Sequence, residues 1–336
     1  MNLLTRTDFK KLVFARDKDT CVFCEKPAVD AHHIIERRIF GNGGYYLNNG
    51  VAVCEEHHLL CETTDISVEE IRKKCGIKIP CLPDHFYEDE IYDKWGNIIL
   101  PNGTRLKGEL FYDESVQKIL ANKLHLFTNF VKYPRTYHMP FSKGVSSDDK
   151  VIKSLDAFLN QRVILTRKMD GECTVMYHNH IHARSLDSKN HISRNWVKNF
   201  WATIRGDIPE NLRICGENLF AKHSIEYKSL PSYFLGFSVW NDRNLCLGWD
   251  ETQEWFQLLG IDSVEVLYDG IFDLNKIKEI YLNQNNEEHE GCVLRVADAF
   301  TYGEFHKKVA KMVRENHVVT TSHWMSQEIE KNGLKN

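Results

Sequence analysis

The sequence predicts an α+β protein: a small Cys/His-rich module followed by a larger domain of antiparallel or mixed sheets with helices outside. Three observations carry this. Six of the ten cysteines (Cys21, Cys24, Cys54, Cys61, Cys75 and Cys81) fall in the first quarter of the chain. From about residue 132, short apolar strands alternate with single amphipathic helices, and several strands are joined by hairpin-length turns. No internal repeat or low-complexity tract competes with that division.

At 336 residues the chain is long enough for two domains. Its 42% hydrophobic and 27% charged composition is that of a soluble globular protein, which sets aside disorder and fibres. No apolar run reaches the roughly 18 residues of a membrane helix. The opening MNLLTRTDFKKLVFARDKD carries scattered charge and lacks the apolar core of a signal peptide, so a cytoplasmic location without disulfides is expected. The net charge of −4 argues against a broad non-specific grip on nucleic acid. Local basic runs remain at KKLVFAR, Arg37-Arg38, Lys132 to Arg135 and HKKVAKMVR; each alone reads as an ordinary solvated face.

Residues 1–78 form the Cys/His module and close on a helical segment, SVEEIRKKCGI. Residues 79–131 read as a connector. Within it DKWGNIILPNGTRLKGELF has the pattern of a hairpin turning at Pro101-Asn102-Gly103. SVQKILANKLHLFTNFVK then spaces Val116, Ile119, Leu120, Leu124 and Phe127 as a helix does. Residues 132–336 hold the larger domain. VILTRKMDG and ECTVMYHN read as strands split by a turn at Asp170-Gly171, and IHARS as a third. RNWVKNFWATIRG is an amphipathic helix with Trp196, Phe200 and Ile204 on one stripe. LRICGENLF and SYFLGFSVW are strands. WDETQEWFQLLG is a helix capped by Asp250 and ended by Gly260. GCVLRV and KVAKMV are the last strands.

Cys21-x-x-Cys24 and Cys54-x-x-His57 are two half-sites of the kind that bind Zn²⁺ tetrahedrally, separated by the polar, loop-rich residues 25–53. Four protein ligands leave no open position, so this reads as a structural zinc site. Cys173, Cys215, Cys246 and Cys292 sit alone in apolar strands and read as small core residues.

Lys168-Met169-Asp170-Gly171 ends an apolar strand, with a glycine that permits a tight turn. That puts an amine at the mouth of a sheet beside a carboxylate. A lysine nucleophile must be neutral when it attacks, and its ordinary pKa is about 10.4, so its site has to depress that value. Alone, K-x-D-G reads as a surface turn. An ordered set follows it: Arg184 in HARS, Glu217 in CGENLF, Phe237 in YFLGFSVW, Glu290 before the strand CVLRV, and Lys311 in KVAKMVR just after Lys308. Taken singly, Phe237 reads as core, Arg184 as a surface cation and Glu290 as a strand-edge charge. No GxxxxGK[ST] or GxGxxG occurs, which excludes a P-loop or Rossmann site.

This series resembles the motifs of the covalent nucleotidyltransferase superfamily of ligases and capping enzymes, in particular its RNA ligases. The resemblance covers roughly residues 132–325 and implies a ligase-type domain of antiparallel sheets with flanking helices. By it, Lys168 is the nucleophile that takes AMP from ATP, with Asp170 and Gly171 in the same motif. Arg184, Glu217 and Phe237 bind nucleotide, Glu290 assists a Mg²⁺ or Mn²⁺ ion, and Lys311 with Lys308 neutralises phosphates. The residue types suit that chemistry: phosphoryl transfer needs positioning and cations, a divalent ion takes carboxylate oxygen, and an aromatic face stacks on adenine. Two positions depart from the family pattern. Arg167 stands where an acid often precedes the lysine, and Val309 interrupts a Lys-x-Lys. The chain ends at residue 336, too soon after Lys311 for the further domain of capping enzymes and most DNA ligases, so an RNA ligase is expected. Its partner is then RNA with 5′-phosphate and 3′-OH ends, free or in a nicked duplex, and RNA repair is the expected setting. In KYPRTYHMP, cations and aromatics interleave, which makes Lys132, Arg135 and His138 candidates for RNA contacts.

Within the first module, DAHHIIERR, Asn49 and His58 resemble the zinc-stapled HNH nucleases, which implies a ββα-type fold. By that resemblance His33 is a general base oriented by Asn49, and His32 and His58 face a catalytic divalent ion. Glu62 stands where many such nucleases carry another histidine or asparagine. A histidine titrates in the range a general base needs, and a metal stabilises the leaving oxygen. The rival reading is a zinc module that grips RNA or positions the ligase domain. Together the two motif sets allow an enzyme that trims RNA and reseals it.

Overall fold

The structure, a computed structural model, describes residues 2–147, 149–186, 190–284, 289–315 and 329–335. Residues 316–325, the end of the ligase resemblance, lie outside them. The chain forms two compact units, Met1–Val131 and Lys132–Asn336. No helix among the described residues is long and apolar enough to cross a membrane.

In the first unit α1 (Arg6–Arg16) begins where the Thr5 hydroxyl accepts the Asp8 N–H. It lays Phe9 and Val13 on an antiparallel pair, β1 (Asp30–His33) and β2 (Gly50–Val53). The register sets His33 opposite Gly50. A Cβ at Gly50 would fall 2.5 Å from Val13 Cγ2 and 2.6 Å from Phe9 Cζ, so the helix can lie this close only over glycine. α2 (Glu55–Glu62) follows Cys54 at once and carries His58 and Glu62 one turn apart on one face. α3 (Val68–Lys74), capped by Ser67, is the helix expected from SVEEIRKKCGI.

Residues 79–131 are more than a connector. Cys81, Phe86 and Tyr92 are buried in the same cluster as Cys21, Ile34, Val53 and Ile71. β3 (Ile91–Tyr92), β4 (Ile98–Ile99) and β5 (Arg105–Leu106) form the expected hairpin region. Its turn closes on Gly103, at φ +83°, which donates to the Leu100 carbonyl. The helix expected over 115–132 stops early. α4 (Glu114–Ile119), capped by Asp113, gives way to a 3₁₀ segment, Ala121–Leu126. β6 (Phe127–Thr128) then pairs in parallel with β5 and completes a four-stranded sheet. Phe127 trades a place on the helix for that pairing and a ring contact with Phe111 at 4.6 Å.

The second unit is built on two sheets. β7 (Tyr137–His138), β8 (Arg162–Lys168), β9 (Glu172–Tyr177) and β10 (Ile181–Ala183) precede α5 (Asn195–Ile204). Next come β11 (Leu212–Asn218), β12 (Phe234–Asn241), β13 (Leu245–Cys246), α6 (Trp249–Leu259), β14 (Val266–Ile271) and α7 (Leu274–Asn283). β15 (Gly291–Val296), β16 (Phe300–Thr301), α8 (Phe305–Lys308) and β17 (Val309–Val313) finish it. One sheet runs β10-β9-β11-β12-β13-β16, the other β14-β8-β15-β17-β7. Among the described strands the ladder pairings are antiparallel except β17 with β7, so the α+β class stands. Val163, Ile164 and Leu165 of β8 are fully buried, which is why that strand reads as a continuous apolar run. Trp196, Phe200 and Ile204 of α5 pack on Met176, Ile214 and Phe234 of the six-stranded sheet.

Two local expectations fail. α6 starts after Gly248, anchored by buried Trp249, whose N–H reaches the Ala297 carbonyl. Asp250 is therefore not its cap; it lies in the first turn and its carboxylate takes Arg162 at 2.6 and 3.0 Å. Lys308 is not in the last strand; it ends α8 and pairs with Glu304 one turn back at 2.8 Å.

Candidate functional site

Lys168 is the last residue of β8, and Gly291, the first of β15, stands opposite it. The ladder therefore carries Glu290 to the amine: Nζ donates to Oε2 at 2.6 Å, with the acid side chain 10% and the amine side chain 25% exposed. Gly291 makes that register possible. Its φ is +152°, and a Cβ would fall 1.9 Å from the Met312 carbonyl oxygen of β17. Beyond Lys168 the chain turns into β9, which pairs with β11 and sets Glu217 opposite Cys173. Gly171 is needed there for close approach: a Cβ would lie 2.6 Å from the Asn218 carbonyl oxygen and 2.9 Å from Glu217 Cγ. Asp170 accepts the Ser224 and Ile225 N–H groups at 2.7 and 2.9 Å, and its own N–H donates to the Tyr227 hydroxyl. It ties the 224–227 loop to the lysine turn.

The charges form one coupled group. Burial works to lower the Lys168 amine, but Glu290, Glu217 and Asp170 outweigh it and hold the ammonium above the ordinary lysine range. Burial pushes Glu217 up to about 8 against the pull of Lys168, with Glu290 and Asp170 adding to the rise. The depressed lysine that the chemistry needs is thus not what the protein's own groups produce. Their surplus of carboxylate oxygen is instead the donor chemistry a hard divalent cation takes. Lys311 moves the other way: burial lowers it, Lys168 adds to the effect and Asp149 opposes it.

The remaining residues of the series lie in the same unit. Lys311 sits in β17, opposite Val293 of β15 and His138 of β7. Arg184 follows β10, and its Nε donates to the Tyr133 carbonyl at 3.4 Å. Tyr133 in turn packs edge-on against Phe237, ring centroids 5.1 Å apart. The KYPRTYHMP segment is therefore part of the domain: Tyr137, His138 and Met139 are buried, and the Lys132 carbonyl accepts the Tyr302 hydroxyl. Asp149 lies 3.3 Å from His138 Nε2, 3.6 Å from Lys311 Nζ and 3.9 Å from Arg135 Nη2. No motif pointed to Asp149.

In the first unit Cys21, Cys24, Cys54 and His57 bring their ligand atoms within 4.8 Å of one another. Cys24 and Cys54 sulfurs are 3.7 Å apart, and Cys54 Sγ lies 3.2 Å from His57 Nδ1. Two thiolates at the ~2.3 Å Zn–S bond of a tetrahedral centre stand about 3.8 Å apart, so the set fits a tetrahedral metal. Burial raises the Cys21 thiol, but N–H groups of Cys54, Phe23 and Cys24 outweigh it and bring the thiol below its ordinary value.

A second cluster joins His32, His58 and Glu62, also within 4.8 Å. His32 is 2% exposed, and neither ring nitrogen has a hydrogen-bond partner among the described residues. His58 Nε2 lies 3.2 Å from Asp30, which raises the imidazole; Glu62 adds to this. His33 stacks on Phe9 at 4.5 Å and meets Tyr45 edge-on at 5.2 Å. Burial, then the Lys94 ammonium, push it down to about 4. The Asn49 amide serves the Ile35 N–H, the Ile35 carbonyl and the Gly44 carbonyl, so it fixes the loop behind His33. Sequence reasoning missed Lys94: nearly buried, it donates to the His33 carbonyl at 3.0 Å and lies 3.2 Å from Glu62. Its DKWGN context carries no metal-site spacing, so no sequence signal marks it.

Among solved structures, a mutant RNA ligase of Naegleria gruberi with ATP and Mn is 18% identical, with a TM-score of 0.34 over 56% of this chain and 60% of that one. An archaeal ATP-dependent RNA ligase is 14% identical, with a TM-score of 0.40 over 55% of this chain and 48% of that one. The chain spans about half to three-fifths of the length of these structures. No curated protein matches it. Residues 161–313 match the family model described as RNA ligase, and that stretch holds every residue of the lysine series.

Proposed function

We propose that the second unit is an ATP-dependent RNA ligase that works through lysyl-AMP at Lys168 and seals 5′-phosphate to 3′-OH ends, in the setting of RNA repair. The observation that carries this is the 2.6 Å pairing of Lys168 with Glu290 inside a carboxylate-rich site that Lys311 adjoins. In the reaction the Lys168 nitrogen attacks the α-phosphate of ATP, the bond to the β-phosphate oxygen breaks and pyrophosphate leaves. AMP then passes to the RNA 5′-phosphate, and the 3′-OH of the second end displaces it.

Glu290 would hold Mg²⁺ or Mn²⁺, which supplies charge neutralisation on the phosphates, and Glu217 would bind a ribose hydroxyl of the nucleotide. This chain's residues do the rest. Glu290 aims the amine, and Asp170 fixes the turn that presents it. Phe237 and Arg184 bound the side on which the base and sugar would lie, and Lys311 with Lys308 would meet phosphate. The test is sealing of 5′-phosphorylated, single-stranded or nicked RNA. ATP-dependent ligated product is expected with Mg²⁺ or Mn²⁺; its absence under both metals with all these ends removes the reading.

In the first unit, Cys21, Cys24, Cys54 and His57 would hold a structural Zn²⁺. The buried His32 with His58 and Glu62 favours a second reading there, a metal-dependent HNH-type nuclease with His33 as base. With the ligase it would make a combined enzyme that trims and reseals RNA. Metal-dependent strand cleavage should vanish in His33→Ala while adenylation persists; cleavage that survives removes His33 from that role.

A further inference from the structure

Asp149 stands where the Lys311 ammonium, the Arg135 guanidinium and the His138 imidazole converge, and its two oxygens have different duties. Oδ2 accepts the Ser146 N–H at 3.1 Å and the Ser146 hydroxyl at 2.7 Å. Oδ1 faces His138, Lys311 and Arg135. The carboxylate is thus anchored in its own turn and presents one oxygen to the cations.

Those three groups come from separate parts of the chain. Arg135 and His138 belong to the segment that opens the unit, Lys311 to β17. The parallel pairing of β7 with β17 sets Lys311 opposite His138. Ser142 adds a second tie: its hydroxyl oxygen accepts the Val313 N–H at 2.9 Å and lies 2.9 Å from His138 Nδ1. Like charges do not gather this closely unless an anion holds them.

We infer that Asp149 is a positioning residue that gathers Arg135, His138 and Lys311 into a binding site for one phosphate group of the ligase substrates. The inference rests on the ligase reading above. The anchored carboxylate stays in place when substrate binds. The Lys311 and Arg135 side chains are 21% and 27% exposed, so a ligand can reach them. Lys311 and Lys168 lie on the two strands that flank β15, which places both amines in the same sheet. The bound phosphate belongs either to ATP or to the RNA 5′ end.

The direction of the effect decides between two roles for Asp149. If it were only a nearby negative charge, removing it would tighten phosphate binding. If it organises the cations, removing it scatters them and weakens binding. Full-length Asp149→Ala and Asp149→Asn are compared with wild type in two arms: the KM for ATP in lysine adenylation, and the KM for 5′-phosphorylated RNA in transfer from preformed lysyl-AMP. In Asp149→Ala we expect a KM about tenfold higher in one arm, with kcat within about threefold, and the affected arm names the source. Asp149→Asn keeps an oxygen for Ser146 and should fall between the two. Calorimetric binding of inorganic pyrophosphate, weaker in Asp149→Ala, gives a readout independent of turnover. Unchanged or lowered KM in both arms, or unchanged pyrophosphate binding, overturns the inference. A wild-type protein that takes no AMP overturns the ligase reading instead.

Discussion

Gly291→Ala tests how the fold places Glu290 beside Lys168. A Cβ at this position would lie 1.9 Å from the Met312 carbonyl oxygen and 3.0 Å from Val313 Cα, both backbone atoms of β17. Contacts of this kind are not made below 3.0 Å, so β15 and β17 must part by about 1 Å at the Gly291–Val313 pair, and Gly291 is the residue opposite Lys168. The φ of +152° adds strain for any residue with a side chain, on the order of 1–3 kcal/mol. A weakened ladder hydrogen bond adds about 1 kcal/mol. We expect a loss of about 2–4 kcal/mol in urea unfolding. Adenylation should fall further than stability explains, because Glu290 is the next residue and a misplacement of about 1 Å can cost on the order of 100-fold. Single-turnover transfer of label from ATP, under conditions where the variant is fully folded, measures this. A variant with the wild-type urea midpoint and a rate within about threefold would refute the argument that Gly291 sets the position of Glu290.

Three other outcomes follow from the charges and ligands. The adenylation rate should rise with pH because the Lys168 amine, held high by Glu290, must lose its proton; Glu290→Gln should move the profile to lower pH in single-turnover kinetics, and an unmoved profile contradicts this coupling. Glu217 is raised to about 8, so the stability linked to it is complete below its unfolded value near 4.5 and is lost as pH rises towards 8. The thermal midpoint of the wild type should therefore fall between pH 5 and 8 more steeply than that of Glu217→Gln; parallel curves would remove Glu217 as the cause. Metal analysis should find close to one Zn per chain, reduced in Cys21→Ser with loss of the first unit's cooperative melting; a metal-free native protein sinks the zinc assignment.

Much of the architecture was legible because strand and helix periods are local. The apolar run ending at Lys168, the stripe Trp196, Phe200 and Ile204, and the αL stop at Gly260 all appear where their spacing puts them. The failures have tertiary causes. Phe127 leaves a helical pattern to pair with β5, and Trp249 rather than Asp250 fixes the start of α6. The lysine series was legible as an ordered set of residue types, and Lys168 and Glu290 do meet. Asp149 and Lys94 were not legible, since each reaches its partners across the fold and belongs to no spacing pattern. The sign of the Lys168 shift was also hidden, because it depends on how many carboxylates the two sheets bring together.

The most direct test of the account is to find where AMP attaches. After incubation with labelled ATP and Mg²⁺ or Mn²⁺, denatured protein should carry one covalently bound AMP that survives alkali and is released by acid, as a lysine phosphoramidate is. Peptide mapping should place it on Lys168, and Lys168→Ala should carry none. Label on another residue, or equal labelling of Lys168→Ala, contradicts the account.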